Sequence, residues 1–215
     1  MYNIVLFDLD GTLTDPGEGI TNSVAYALKK FKISVHDKTQ LYSFIGPPLI
    51  DSFMKYYGMN RQDSQQAVDY YREYFRDKGI FENIVYDDIP QLLSEIQKSG
   101  RKIALATSKP EEFAKRILEH FNLTKYFDFI GGATMDETRS KKADVIKYVI
   151  ESLSINDLSN VIMIGDSNHD IDGANQNGLD SIGVLYGYGN RAELESAGAT
   201  YIAEKTNDII KFIRE

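Results

Sequence analysis

The sequence predicts an α/β fold in which a parallel β-sheet is flanked by helices and a helical domain is inserted after the first strand. Three observations support this fold class. The chain opens with a short apolar run of strand type, and a long stretch of purely helical pattern follows it. From Asp88 onward, apolar strands alternate with helical segments, which is typical of a parallel sheet whose strands are connected through helices.

The first strand and the inserted helices follow from residue periodicity. Residues 2–7 form a run that is apolar except at Asn3 and rich in β-branched and aromatic side chains, which favours a buried strand. In residues 19–31 the apolar side chains recur with helical spacing. The same spacing continues, with breaks at Gly46-Pro47-Pro48 and Gly58, through 37–44, 48–57 and 61–77.

Further apolar runs complete the predicted sheet, at 101–107, 127–130, 160–165, 181–185 and 200–203. The simplest organisation is an α/β core of residues 1–14 and 86–215 with a helical domain at 15–85. The insertion leaves the sheet directly after the first strand, at its carboxyl edge. We therefore expect the helical domain to cover that edge and to close over it as a lid.

Composition limits the classes of function. The 215 residues carry a formal net charge of −8. A nucleic-acid-binding surface needs clustered Lys and Arg, so no nucleic-acid partner is expected. No stretch approaches the roughly 20 apolar residues of a membrane helix, so no membrane partner is expected. The chain begins directly with its first strand, and we expect a cytoplasmic protein. Because cysteine is absent, disulfides and thiol catalysis are excluded.

Two acidic residues follow the first strand at once. Asp8 and Asp10 lie one residue apart, and Gly11-Thr12 comes next. Two carboxylates at the end of a buried strand are costly unless a cation neutralises them, so the pattern predicts a Mg²⁺ site or a site of phosphate chemistry. The structural alternative is a strand-terminal turn capped by Asp side chains, which is common where Asp precedes Gly.

Later segments place further polar groups at comparable points of the predicted fold. In open α/β sheets, ligands bind at the carboxyl edge of the strands, where the strand order switches. The segments are, in chain order, Thr107-Ser108-Lys109 at the end of a strand, Lys141-Lys142 at the start of a helix, and Asp166 with Asp170 after another strand.

The order of these motifs resembles the haloacid dehalogenase superfamily, specifically its phosphatase branch. The matching segments are DLDGTLTD, ATSKP, the Lys142 position and GDSNHDIDGA, and the resemblance covers nearly the whole chain. It implies a Rossmann-like core with a helical cap and Mg²⁺-dependent hydrolysis of a small phosphorylated metabolite through an aspartyl-phosphate. The phosphoglycolate phosphatases and the nucleotidase-like phosphatases form the group that it points to. We expect a monomer or a weak homodimer.

The resemblance implies a role for each catalytic position. Asp8 is the expected nucleophile, and Asp10 is the expected general acid and base. Lys142 is expected to neutralise the nucleophile and the transferring phosphoryl group. Asp8, Asp166 and the main-chain carbonyl of Asp10 are the expected Mg²⁺ ligands.

The substrate phosphate is expected to bind the Thr107 hydroxyl and the main-chain N–H of Ser108. Four other residues are weaker candidates, each with a structural alternative: Asp15, Lys109, Lys141 and Asp170. Lys109 contacts the phosphate or faces solvent, and Lys141 competes with Lys142 for the same role. Asp170 ligates the metal through water, orients Lys142 or caps a helix; Asp15 matches a family position or caps the first helix of the insertion.

Two other functions use similar residues. A phosphosugar mutase of the same fold would keep every core motif and differ in the cap and in water access. A phospho-receiver switch also combines Asp, Thr, Lys and Mg²⁺ on a parallel sheet. It needs a long-lived acyl-phosphate, however, and Asp10 placed as a general base would hydrolyse it.

Overall fold

The chain forms two compact units in the computed structural model, which describes residues 1–136 and 138–214. The first, the sheet unit, comprises Met1–Thr14 and Val85–Glu215. The second, the helical unit, comprises Asp15–Ile84. The chain therefore leaves the sheet unit after Thr14 and re-enters it at Val85, one residue before the predicted start of the second core segment.

The strands confirm the predicted α/β class. They are β1 (Ile4–Phe7), β2 (Thr14–Asp15), β3 (Ile84–Val85), β4 (Lys102–Pro110), β5 (Phe129–Ala133), β6 (Val161–Gly165), β7 (Asp180–Val184) and β8 (Tyr201–Ala203). Within the described residues, six of them form a parallel sheet of order β5-β4-β1-β6-β7-β8. The short strands β2 and β3 pair separately and were not predicted. They lie where the chain passes between the two units.

The helical unit contains α1 (Gly17–Lys30), α2 (Leu49–Tyr57) and α3 (Arg61–Phe75), with 3₁₀ helices at Lys38–Phe44 and Gly79–Phe81. The segment predicted at 37–44 is thus a 3₁₀ helix. Asp37 caps its start by accepting a hydrogen bond from Thr39 N. The Gly46-Pro47-Pro48 sequence prevents its extension, because residues before proline avoid the α region.

The sheet unit adds α4 (Ile89–Lys98), α5 (Glu111–His120), α6 (Lys142–Ser152), α7 (Asn168–Gln176), α8 (Arg191–Ser196) and α9 (Thr206–Arg214). One buried cluster joins two of these helices to the sheet: Leu6, Ala104, Ala106, Met163, Val145, Ile146, Val149 and Ala174. Burial of this apolar surface stabilises α6 and α7 against one face of the sheet. No helix in the described part of the chain is long and apolar enough to cross a membrane.

Strand order places a switch point beside β1. From β1 the chain passes to β4 and β5 on one side and then to β6, β7 and β8 on the other. In parallel α/β sheets this switch leaves a crevice at the carboxyl ends of the central strands. The ends of β1, β4 and β6 are therefore where a ligand site is expected.

Candidate active site

Strand register brings three predicted motifs to one level. Phe7 of β1 is paired with Leu105 of β4 and with Ile164 of β6. The next residue, Asp8, continues the ladder by donating its main-chain N–H to the Ile164 carbonyl oxygen at 2.9 Å. Because the strands are parallel and in register, Asp8, Thr107 and Asp166 leave them at the same edge.

Lys142 lies at the centre of this edge. Its Nζ is 2.6 Å from Asp8 Oδ1 and 2.8 Å from Asp170 Oδ1, and it donates a hydrogen bond to the Ala106 carbonyl oxygen at 3.1 Å. Lys142 is buried, whereas its neighbour Lys141 is exposed and is the N-cap of α6. Of the two lysines that competed in the sequence, Lys142 is therefore the one that contacts the acidic residues.

Asp170 both contacts Lys142 and takes part in a helix cap, which are two of the three roles that the sequence allowed for it. Its Oδ1 contacts Lys142, while its Oδ2 accepts hydrogen bonds from Ser167 N at 3.1 Å and Ser167 Oγ at 2.8 Å. The second set of contacts is a capping box, in which Asp170 occupies the third position of α7 and Ser167 is the N-cap. The helix begins at Asn168, so Asp170 lies within its first turn rather than before it, and the cap fixes the carboxylate that contacts Lys142.

Three buried carboxylates face one another around this lysine. One oxygen from each of Asp8, Asp166 and Asp170 lies within 4.8 Å of the others. Burial raises the pKa of Asp8 to about 6, and Lys142 only partly offsets this effect. Burial, with Asp170 and Asp8 nearby, raises the pKa of Asp166 well above its ordinary value. The cluster therefore contains more negative charge than Lys142 alone can neutralise.

Burial by itself would lower the pKa of Lys142. The neighbouring Asp170 and Asp8 carboxylates outweigh that effect, so the pKa of Lys142 lies above its ordinary value. Lys142 is thus a permanent cation within the cluster at neutral pH.

A divalent cation fits this cluster. Carboxylate oxygens are hard ligands, and Mg²⁺ commonly uses one or two of them together with waters and substrate phosphate oxygens. Three buried carboxylates surround a single ammonium, so the cluster lacks compensating positive charge. Bound between them, a divalent cation would supply it.

Asp10 lies in a different environment from Asp8. Its Oδ2 is 2.8 Å from Lys109 Nζ, and the two side chains are 11% and 5% exposed. The solvent-facing alternative for Lys109 is therefore wrong. The carboxylate of Asp10 is not among the three clustered acids. Its expected contact with metal is through the main-chain carbonyl, and that contact stays a prediction.

Thr107 and Ser108 lie in the last part of β4, whose pairing with β5 stays in register as far as Thr107 and shifts after it. Thr107 is buried, and its Oγ1 accepts a hydrogen bond from the main-chain N–H of Lys109 at 3.2 Å. Because that contact uses an oxygen lone pair, the hydroxyl proton can still be donated to an anion. Ser108 is half-buried, and Pro110 is the N-cap of α5. These positions are compatible with the predicted phosphate contacts.

Asp15 is found at a helix start. Its Oδ1 accepts a hydrogen bond from Gly17 N at 2.9 Å, at the first residue of α1 in the helical unit. Pro16 is the N-cap of α1, so Asp15 lies one residue before the cap, and its functional alternative stays a prediction. The contact satisfies one of the main-chain donors that every helix start leaves open.

The sequence-based reasoning missed a loop after β7. Tyr188 donates its main-chain N–H to Asp166 Oδ2 at 2.7 Å, and Gly187 and Gly189 lie against the same residue. Glycines on both sides of Tyr188, shortly after a strand, can indicate that the main chain approaches another group closely. This was the signal in the sequence that could have identified the loop.

Buried carboxylates with perturbed pKa values, paired with lysines at the carboxyl edge of a parallel α/β sheet, define the active site of an α/β enzyme. Comparison with known proteins identifies its kind. The haloacid dehalogenase-like hydrolase family matches residues 5–184. The chain belongs to this family, and the expected family and its hydrolase class are confirmed.

Three similar proteins illustrate the range within that family. A 5'-nucleotidase of Pseudomonas aeruginosa is 44% identical over 200 residues, which cover 93% of this chain and 90% of the relative. A crystal structure of a predicted phosphatase from Clostridium acetobutylicum has a TM-score of 0.97 and 52% identity, and covers 100% of this chain and 99% of its own. The tyrosine-protein kinase PtkA of Mycobacterium tuberculosis is 34% identical over 93% of this chain and 67% of its own length.

The two adjacent lysines allow a matched test of the site. Lys142→Met removes the ammonium that contacts Asp8 and Asp170 and should lower kcat/KM for hydrolysis by at least about 10²-fold. It should also lower the free energy of unfolding at pH 8 by about 3–5 kcal/mol, because buried carboxylates lose their partner. Lys141→Met, which changes an exposed residue, should leave both quantities near wild type. Equal losses in the two variants, measured by kinetics and urea unfolding, would contradict this assignment.

The acid cluster also predicts a pH dependence of stability. The folded-state pKa values of Asp8 and Asp166 lie above their unfolded values, so the folded metal-free protein binds more protons than the unfolded chain above about pH 4. These groups therefore make the free energy of unfolding fall as pH rises through about 6. Asp166→Asn should flatten that fall in chelator, as measured by urea unfolding between about pH 5 and 7.5. An identical slope in wild type and variant would argue against it.

Proposed function

We propose that the protein is a Mg²⁺-dependent phosphatase that hydrolyses a small phosphomonoester through an aspartyl-phosphate on Asp8. The observation that carries this proposal is the 2.6 Å contact of Lys142 with Asp8 inside a buried cluster of three carboxylates. That arrangement supplies an attacking carboxylate together with positive charge for an anionic substrate. The hydrolase family and the phosphatase and nucleotidase names of the similar proteins support the same reaction.

The first half-reaction transfers the phosphoryl group to the enzyme. An oxygen of Asp8 attacks phosphorus, the bond from phosphorus to the ester oxygen breaks, and Asp10 donates a proton to the departing alcohol. Lys142 stabilises the negative charge on the transferring group, and Thr107 donates a hydrogen bond to it. Mg²⁺, held by Asp8 and Asp166, would supply further positive charge against the repulsion between two anions.

The second half-reaction releases phosphate. Asp10, now ionised, accepts a proton from water, and the resulting hydroxide attacks phosphorus of the aspartyl-phosphate. The bond between phosphorus and Asp8 oxygen breaks, which restores Asp8 as a carboxylate and Asp10 as an acid. Lys109, 2.8 Å from Asp10 Oδ2, orients Asp10 for both proton transfers.

The substrate class is best approached from the nucleotidase relative. The 5'-nucleotidase is 44% identical to this chain, and the match covers 90% of the nucleotidase. Nucleoside 5'-monophosphates are therefore the first substrates that we propose. Other relatives of about the same coverage are named pyrophosphatases, at 27% identity. Phosphoglycolate is a further candidate substrate, because the sequence motifs also resemble those of the phosphoglycolate phosphatases.

The two alternative functions that the sequence allowed, a receiver switch and a phosphosugar mutase, require different evidence. Membership of a hydrolase family decides against a non-enzymatic receiver switch. A phosphosugar mutase would use the same Asp8, Lys142 and Asp166, and differs in where the phosphoryl group goes. The test must therefore follow the fate of the acyl-phosphate.

A substrate panel with a nucleophile variant tests the proposal. The wild-type enzyme should release inorganic phosphate from at least one of nucleoside monophosphates, phosphoglycolate and pyrophosphate when Mg²⁺ is present, and should lose that activity in excess chelator. Asp8→Asn removes the attacking charge at nearly constant volume and should abolish turnover, with circular dichroism confirming the fold. Hydrolysis by Asp8→Asn within tenfold of wild type would rule out the covalent mechanism.

The role of Asp10 separates hydrolase from mutase. Asp10→Asn should slow turnover by about 10²–10⁴-fold, the usual contribution of general acid and base catalysis. With p-nitrophenyl phosphate, whose leaving group needs little protonation, the variant should still form the aspartyl-phosphate and accumulate it. Mass spectrometry of the quenched protein would detect the bound phosphoryl group. A wild-type enzyme that releases negligible phosphate while a phosphosugar isomer accumulates would decide for the mutase.

A further inference from the structure

The loop that follows β7 surrounds Asp166 with main chain. Tyr188 donates its main-chain N–H to Asp166 Oδ2 at 2.7 Å, a hydrogen bond to a buried carboxylate. Any residue at position 188 except proline could provide this donor, so the contact does not depend on the tyrosine side chain. What it requires is that the backbone reach the carboxylate.

Glycines make that approach possible. A Cβ at Gly187 would overlap the Gly11 carbonyl oxygen and the Asp166 side chain, and a Cβ at Gly189 would overlap the Asp166 carbonyl oxygen. From the other side, a Cβ at Gly11 would overlap the Asp166 carboxylate, and Gly11 also has a φ of +83°. The Asp166 side chain therefore lies between Gly11 and Gly187, two positions at which a Cβ does not fit.

Tyr186 fastens this loop to the segment after β1. Its hydroxyl donates a hydrogen bond to the Thr12 carbonyl oxygen at 3.0 Å. Its ring packs edge-on against Tyr86, with the ring centroids 5.2 Å apart, and Tyr86 in turn donates its main-chain N–H to Leu13 O at 3.1 Å. The loop is thus joined to the residues that directly follow Gly11 by one hydrogen bond and one ring contact.

We propose that Tyr186–Gly189 is a positioning element that orients the Asp166 carboxylate for a divalent cation. The hydrogen bond from Tyr188 N to Oδ2 restrains rotation of the carboxylate, one oxygen of which lies near Asp8 and Asp170. Groups that orient a metal ligand in this way commonly change metal affinity by about 10–100-fold when they are altered. The inference rests on the metal role proposed above for Asp166, and no residue of the loop is assigned a contact with substrate.

Equilibrium binding of Mg²⁺ alone tests this inference on the full chain after chelator treatment. By isothermal titration calorimetry, Gly187→Ala should weaken Mg²⁺ binding by about 10–100-fold. Gly183→Ala is the matched control, because its Cβ would lie 2.9 Å from Leu194 Cδ1, a flexible side chain outside the acid cluster. The control should retain the wild-type dissociation constant.

A second pair of variants covers the case in which Gly187→Ala does not fold. Tyr186→Phe keeps the ring and removes the hydrogen bond to Thr12, and should weaken Mg²⁺ binding by about two- to tenfold. Tyr2→Phe removes a hydroxyl contact of similar length, to Asp180 Oδ2 at 2.7 Å, at the opposite end of the sheet. It should leave Mg²⁺ affinity unchanged.

The outcomes separate this inference from the proposed function. Loop variants that have a lower melting temperature in chelator but bind Mg²⁺ as tightly as wild type would overturn the inference and leave the proposed function standing. A wild-type protein that shows no Mg²⁺ binding would overturn both. Weaker binding in Tyr186→Phe with unchanged binding in Tyr2→Phe would support the positioning role.

Discussion

The site depends on the contact of one ammonium group with two of three buried carboxylates. Lys142 reaches Asp8 and Asp170, while Asp166 completes a cluster whose oxygens lie within 4.8 Å of one another. Ion pairs in such surroundings are costly to desolvate and persist only where other contacts fix their geometry. Here those contacts are the strand ladder under Asp8 and the capping box of Asp170. The apolar cluster packs α6 and α7 on the sheet, so it holds the helix that carries Lys142 and the helix that carries Asp170 beside the strand that precedes Asp8.

Asp8 and Asp10 show how two acids two residues apart can be given different tasks. A bend at Leu9 separates them after the end of β1, and each is paired with its own lysine. Lys142 comes from the start of α6, and Lys109 comes from the end of β4. Under the mechanism proposed above, these different partners would let Asp8 serve as nucleophile and Asp10 exchange protons, since sites commonly separate the roles of two acids through their surroundings.

The fold and most of the acidic site could be predicted because their signals are local. Apolar runs and helical periodicity identified the sheet, and strand-terminal Asp8 and Asp166 marked its edge. The pairing of Lys109 with Asp10 could not be predicted, because it depends on how two strand ends distant in sequence lie beside each other. The two tasks of Asp170 required knowledge of where α7 begins. Tyr188 escaped notice for another reason: it contributes a main-chain N–H that carries no side-chain signature.

That main-chain donor explains why glycine, rather than a polar residue, borders Asp166. A side-chain donor would lose rotamer freedom when it orders against the carboxylate, whereas the main-chain N–H of Tyr188 has no side-chain rotamers to lose and lies in a loop that the Tyr186 hydrogen bond already holds. Reaching the carboxylate with backbone requires that no Cβ intervene, and Gly187 and Gly189 meet that requirement on one side as Gly11 does on the other. The acidic cluster is therefore built from two kinds of constraint, opposite charges around Lys142 and absent side chains around Asp166. Only the first of these is visible as a pattern of functional groups in the sequence.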